Sequence, residues 1–367
     1  GSWREEDSPF WIGHPKRLMP MIELRGCRRL RIEEITLTNS AGWTLHTTLC
    51  DDVWISRLTI DNPMYGPNTD GIDISGCRNV FITGCKITCG DDAVIVKALE
   101  HTRSSEHICV SDCIIRTHCA ALGIGAETYH PIREISFSNC VVPKALRIVQ
   151  IELWEAGLVE NVVVTNISGA TMTDIPLERP LYIDIQHHGR SDGALGVVRN
   201  IVISGLTCVT RGRCLFTAAD GATIEHLTLR DLHFTVPEIE DPESSVPSSR
   251  SNQMSNDNPE TRAGRAMLIF DNCRFVVLNN VQVTWPGDDP AAEALRRSSD
   301  DGVSYPGNGR FNDDRRKTEA VGTNVPMYAI WCRRTTDVLL NAPFLTGYRV
   351  PEPIRAIDSE IRYARAR

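Results

Sequence analysis

Two short stretches place carboxylates at a spacing that suggests chemistry: NTDGID at residues 68–73 and CGDDAVIVK at residues 89–97. Each sets aspartates directly before a short apolar run. Asp is a poor strand former and favours turns, so two successive strands that both open on aspartate have two readings. In one, the residues cap turn amides or hold a Ca2+ ion. In the other, Asp70, Asp91 and Asp92 gather on one face for a reaction, with Asp73 as a fourth candidate inside its strand. Like charges held close repel, and one of them then keeps its proton to higher pH. A protonated carboxyl beside ionised ones is the pairing that acid–base catalysis uses. Cleavage of a glycosidic bond with inversion, for example, needs an acid and a base roughly 6.5–9.5 Å apart with a water between base and sugar.

Elements that would hold these residues in place are visible as a repeat. An apolar residue is followed by others two, five and seven positions later, in LRIEEITL from Leu30, VWISRLTI from Val53, VFITGCKI from Val80, ICVSDCII from Ile108 and ISFSNCVV from Ile135. The pattern continues from Val162, Ile201, Leu227, Val276 and, more weakly, Val338, and its first steps are 23, 27, 28, 27 and 27 residues. Period-two alternation means strands, and the change of phase within the unit means a bend. Such a unit cannot bury its apolar face alone, so copies must stack. The expectation is an all-β parallel β-helix of about ten coils. The Leu-x-x-Leu-x-Leu frame of leucine-rich repeats is missing, and a β-sandwich would not keep so regular a register. Stacked strands lie about 4.8 Å apart. Aligning TDGIDIS, DDAVIVK, AALGIGA and ALRIVQI sets Asp70 on Asp92, with Asp91 one residue before.

The repeat divides the chain into an N-terminal segment and cap (1–23, with Trp3, Phe10 and Trp11 as capping residues), one β-helix domain (24–350) and a C-terminal tail (351–367). Two polar excursions, 237–265 and 286–326, fall between coils and read as loop insertions. Three of the 13 cysteines, Cys85, Cys113 and Cys140, share one apolar slot in consecutive coils. They read as a reduced, buried ladder. CxxC spacing with histidine is lacking, so no metal or other cofactor is expected. A net charge of −8 argues against nucleic acid as a partner, and no apolar run approaches the ~20 residues that span a bilayer. The sequence does not fix an oligomeric state.

The run GPNTDGIDISGCRNVFITGCKITCGDDAVIVKA resembles glycoside hydrolase family 28, the polygalacturonase and rhamnogalacturonan hydrolase family, and the resemblance extends over roughly residues 17–170. It implies a right-handed parallel β-helix that inverts configuration. Asp91 would be the general acid, with Asp70 and Asp92 holding and activating the water. The implied partner is a pectin-type polysaccharide or oligosaccharide. Two positions depart from the family pattern. Where the family has Gly-His-Gly, this chain has Cys119-Ala120-Ala121, so Ala120 replaces the histidine and His118 substitutes only if the turn is remodelled. Where the family has Arg-Ile-Lys, this chain has Arg147-Ile148-Val149, so a cation that reads galacturonate is lost. Rhamnogalacturonan hydrolases depart at the same two positions. Further substrate-binding candidates are Lys97, Asp73, Trp154 and, in RPLYIDIQHHG, Tyr182 and His187 with its neighbour His188. Trp154 and Trp331 are equally placed to stack on sugar or to fill core.

Two other readings are a carbohydrate-binding β-helix that has lost catalysis and a β-eliminating lyase with Arg147 as base. By resemblance the protein is secreted or periplasmic, whereas reduced cysteines would suit a cytoplasmic enzyme acting on imported oligosaccharides.

Overall fold

Alternation broken at fixed positions requires residues that tolerate the left-handed backbone region, and the chain supplies them in two columns. Asp52, Asn79, Asn161 and Asn200 sit at φ of 56–58°, each just before a repeat unit. Gly84, Asp112, Asn139, Asn166 and Gly205 sit at φ of 54–67° within the units, where the strand turns its corner. Asn, Asp and Gly adopt this conformation at least cost. The asparagines also bond along the stack: Asn200 Nδ2 to Asn161 Oδ1 at 3.1 Å and Asn166 Nδ2 to Asn139 Oδ1 at 3.3 Å.

The computed structural model describes residues 19–64, 66, 68–171, 178–186, 194–237, 265–287, 328–341, 345–348 and 350–364. They form strands β1–β27 in chain order, and every strand pairing is parallel. Eleven strands stack, coil upon coil, into one sheet. Their order is Ile22–Arg25 (β1), Leu45–Thr48 (β4), Ile72–Ser75 (β7), Val94–Ala98 (β10), Ala120–Thr128 (β13) and Arg147–Leu153 (β16), then Leu181–Ile185 (β18), Cys214–Ala218 (β20), Ala266–Asp271 (β22), Tyr328–Arg333 (β24) and Ile354–Ile357 (β26). The other strands form a sixteen-stranded sheet. In its early coils two short strands meet at a corner, as Lys86–Cys89 (β9) follows Arg78–Thr83 (β8); from Leu158–Ala170 (β17) to Cys273–Thr284 (β23) one long strand replaces the pair. The inward residues of both sheets make one continuous core of Ile, Val, Leu, Phe and Cys.

The fold is thus the expected parallel β-helix, with two changes. Among the described residues there are eleven coils, because residues 351–367, expected as a tail, carry β26 and Ile361–Tyr363 (β27), which pair with β24 and with Thr336–Asn341 (β25). At this end of the stack Ile354 and Ile361 are only partly buried against the core, so the apolar repeat fades there. The first coil opens at Ile22, inside the segment assigned to the cap. Trp3, Phe10, Trp11, nearly all of the two insertions, His187 and His188 lie outside the described residues.

Cys85, Cys113 and Cys140 stack as expected, each at most 2% exposed. All 13 cysteines are free: Cys109 is exposed, Cys27 and Cys119 are half-buried, and the others are buried. A thiol reagent added to the native protein should therefore label Cys109 first and at most Cys27 and Cys119 besides, with the rest reacting only after denaturation. Rapid native labelling of Cys85, Cys113 or Cys140, read by peptide mass spectrometry, would contradict this packing.

Candidate active site

At the entry to the first sheet the ladder brings the aspartates together. Gly71 N–H donates to the Asp92 carbonyl at 2.9 Å, and Ile72 pairs with Val94. Asp70 therefore stacks on Asp92 in the next coil, as the sequence alignment required. One coil further, Ala93 N–H donates to the Ala120 carbonyl at 2.8 Å, and Ala120 pairs with Arg147. The column thus reads Asp70, Asp92, Ala120, Arg147. The sequence alignment had set Ala121 and Leu146 there; both strings slide by one residue. Ala120 now stands over Asp92, and Arg147 joins the carboxylate column from two coils away.

Two glycines let these turns close. A Cβ on Gly71 would lie 2.4 Å from the Ala93 carbonyl oxygen, and one on Gly90 would lie 2.3 Å from that of Gly66. Threonines brace the same turns. Thr69 Oγ1 donates to the Gly66 carbonyl at 2.6 Å and accepts from Gly90 N–H at 3.0 Å. Thr117 Oγ1 donates to the Asp91 carbonyl. Asp91 is half-buried, and its carboxylate accepts from the backbone of Asn68 at 2.9 Å and of Asp92 at 3.1 Å. Asp70 and Asp92 lie deeper, 3% and 8% exposed. Asp92 Oδ1 accepts from Ala120 N–H at 3.2 Å, and Cys119 Sγ lies within 4.8 Å of an Asp92 carboxylate oxygen. Asp70 Oδ1 has no hydrogen-bond partner.

Burial raises the proton affinity of these groups, and mutual repulsion adds to it. Asp70 is pushed well above the usual carboxylate range by burial, then by Asp73, Asp91 and Asp92. Asp92 rises to about 6 by burial and by Asp91, with Lys97 opposing. Asp73 faces away from the core between Ile72 and Ile74, is fully buried, and has neither carboxylate oxygen hydrogen-bonded. Burial pushes it well above the usual range too, against the pull of Lys97.

Of the remaining candidates, Lys97 is buried, 5.3 Å over the Trp43 ring, with Nζ 2.7 Å from Glu127. Burial works against its charge, but Glu127, Asp73, Asp70 and Asp92 more than offset this and raise its pKa. Arg147 stacks 4.5 Å over the Tyr182 ring, donates to Gln150 and lies 4.0 Å from Glu152. Tyr182 is buried and donates its hydroxyl to Asp184 at 3.3 Å. Trp154 is half-buried beside Glu152. His118 is buried in the corner between Ile114–Thr117 (β12) and β13, while Ala120 holds the column position. Trp331 packs with Tyr182, Leu215 and Ile269 in a small apolar cluster outside the main core.

Sequence reasoning missed Thr117, Cys119, Glu127, Glu152 and Asp184. Glu127 meets Lys97 only because the register shifts between Val96 and Ala98. Glu152 and Asp184 are cross-strand neighbours at outward positions, which the alternation marks but does not explain. Asp184, buried and bonded to Thr217, Gln186 and Tyr182, is raised to about 7, by burial first.

The profile of glycosyl hydrolases family 28 matches residues 7–233. A probable polygalacturonase of Arabidopsis thaliana is 30% identical over 187 residues, 50% of this chain and 40% of that one. A polygalacturonase of Juniperus ashei is 40% identical over 75 residues, 20% of this chain and 15% of that one. This chain thus spans less than half the length of either relative. Among solved structures, the family 28 exopolygalacturonase of Yersinia enterocolitica aligns with a TM-score of 0.53 at 14% identity, over 70% of this chain and 42% of that one. The likeness supports the fold, a right-handed parallel β-helix.

Stability should report the crowding of charge. Because Asp92 titrates near 6 when folded and near 3.8 when unfolded, the folded state holds the extra proton between these values. Stability is then lost as pH rises through that window. Asp92→Asn should therefore melt higher than the wild type at about pH 7, with the gain shrinking as pH falls toward about 4. Thermal melts across pH measure this; a variant that melts lower at about pH 7 would contradict the account.

Proposed function

The chain belongs to family 28 of the glycosyl hydrolases, and on that premise we propose that it is an inverting hydrolase of a pectin-type polysaccharide or oligosaccharide. The observation that carries the reading is the stack of Asp92 on Asp70 with Asp91 beside them at the open edge of the sheet. Asp91 is the least buried of the three, so it is the group that reaches a glycosidic oxygen lying over that edge and gives it a proton. Asp70 and Asp92, deeper and one coil apart, flank the water and take its proton as its oxygen attacks the sugar carbon from the opposite face. The proton lost by Asp91 and the one gained by the pair are exchanged with solvent after each turnover.

One observation favours exchanged roles within the same chemistry. Asp92 rises to about 6, and a raised carboxyl suits an acid. The β-elimination reading gains no such support, since Arg147 is engaged by Tyr182, Gln150 and Glu152.

The substrate reading follows from the cations. Val149 is a core residue, 1% exposed, where the family pattern has lysine. Lys97 is paired with Glu127, and its side chain is less exposed than that of its partner, 7% against 23%. A sugar carboxylate arriving there meets the anion first. A uronate needs a charge-assisted partner worth roughly 1.5–3 kcal/mol, so the sugar bound over these residues is neutral or carries its acid elsewhere, within reach of Arg147.

Kinetics on two kinds of substrate test the assignment. On oligosaccharides Asp91→Asn should lose about 10²–10⁴-fold in rate. On a nitrophenyl glycoside, whose leaving group needs no proton, much of that loss should vanish. Asp70→Asn and Asp92→Asn should lose activity on both. Recovery by Asp92→Asn instead would exchange the roles, and an Asp91→Asn variant within threefold of wild type on oligosaccharides would remove Asp91 from the acid position. In the same assays, new reducing ends without an unsaturated product exclude elimination. Rhamnogalacturonan or decorated pectin fragments should show higher kcat/KM than plain polygalacturonate, and the reverse order would show that another cation reads the carboxylate.

A further inference from the structure

The column at the site has a gap. Ala120 stands on Asp92 where the resemblance places an imidazole, and a methyl group neither donates nor accepts. Next to it, Cys119 presents a thiol. Its Sγ and one carboxylate oxygen each of Asp91 and Asp92 lie within 4.8 Å of one another. The backbone fixes it there. Cys119 N–H donates to Thr117 Oγ1 at 3.0 Å, and the same hydroxyl donates to the Asp91 carbonyl. The Cys119 carbonyl accepts from Leu146 and Arg147 at 3.1 and 3.0 Å. Cys119 is half-buried, and it lies outside the ladder of Cys85, Cys113 and Cys140 that fills the core.

We propose that Cys119 is a positioning residue: its thiol donates to Asp92 and holds that carboxylate ready to take the proton of the attacking water. The thiol remains protonated throughout. Burial, then Asp92 and Asp91, push its pKa well above the usual thiol range, with Arg147 opposing. It therefore acts only as a donor, beside the Ala120 N–H that Asp92 also accepts. No bond to sulfur forms or breaks. The charges that face Asp92 are Asp70 and Asp73 from the coil below, Asp91 and Lys97 from its own coil, and Arg147 from two coils above. Three of these are acids, and the two cations, Lys97 and Arg147, are already paired with Glu127 and Glu152. The thiol is a second neutral donor, beside the Ala120 N–H, that favours the ionised form of Asp92, and it supplies part of what the histidine would have given.

The role in turnover rests on the hydrolase reading, whereas the hydrogen bond itself does not, so two readouts are needed. The first is the pH profile of kcat/KM for Cys119→Ala and Cys119→Ser. Losing a donor to a charged acceptor should cost about tenfold or more in Cys119→Ala and move the acidic limb to higher pH. Cys119→Ser keeps a donor and should stay within threefold of wild type with the limb unmoved. The second is the carboxyl titration of Asp92, followed by 13C NMR in the intact protein without substrate. Its midpoint should rise in Cys119→Ala and stay near the wild-type value in Cys119→Ser. Equal behaviour of the two variants, or an unmoved Asp92 midpoint in Cys119→Ala, would overturn the proposal. A wild-type protein inactive on every glycoside would overturn the hydrolase reading while leaving the titration test of the Cys119–Asp92 bond decisive.

Discussion

Every feature of the site depends on one constraint, the parallel ladder that fixes each coil one strand spacing above the last. The bonds from Gly71 N–H to the Asp92 carbonyl and from Ala93 N–H to the Ala120 carbonyl leave no freedom of register at the strand entry. A slip of one residue would turn the apolar set outward and the aspartates inward. The ladder is anchored by the continuous core between the two sheets, so it holds like charges at a spacing that free side chains would avoid. Asp70, Asp73 and Asp92 are raised in consequence, with burial the larger cause and repulsion the addition.

That arrangement costs stability, and the chain offsets only part of it. Lys97 supplies one buried positive charge, but Glu127 claims its ammonium at 2.7 Å. Arg147, which joins the column from two coils away, is shared among Tyr182, Gln150 and Glu152. Asp70 Oδ1 and both oxygens of Asp73 are left without donors. Unsatisfied buried carboxylates are costly in a purely structural element. Their concentration beside Asp91 and Asp92 is intelligible when the cost serves chemistry at the strand entry, since perturbed carboxylates gather at functional sites.

The sequence made the coils legible because one pattern served two purposes. Alternation marks the strands, and Asn, Asp or Gly stands at many of the left-handed corners, so the coils are legible over residues 30–283. The pairing of Asp70 with Asp92 followed from counting. What remained hidden was whatever departs from a constant step. The shift that carries Glu127 to Lys97 is a local irregularity between Val96 and Ala98, and no composition signal announces it. The place of Ala120 and Arg147 was missed by one residue because the turn before β13 was assumed to match those before β7 and β10. The last coil resembles a tail because it lies at the end of the stack and buries little, with Ile354 and Ile361 only partly covered. Cys119 looks in the sequence like the cysteines that fill core slots; in the fold its thiol lies beside the Asp91 and Asp92 carboxylates instead.

The central claim is that stacked carboxylates direct a water to the face of the sugar opposite the leaving group. Proton NMR of the first reducing ends released, recorded before mutarotation equilibrates them, tests this directly. The account predicts that the new anomeric centre has the configuration opposite to that of the bond cleaved. Release of the same configuration would mean that an aspartate attacks the sugar itself, and would contradict the account.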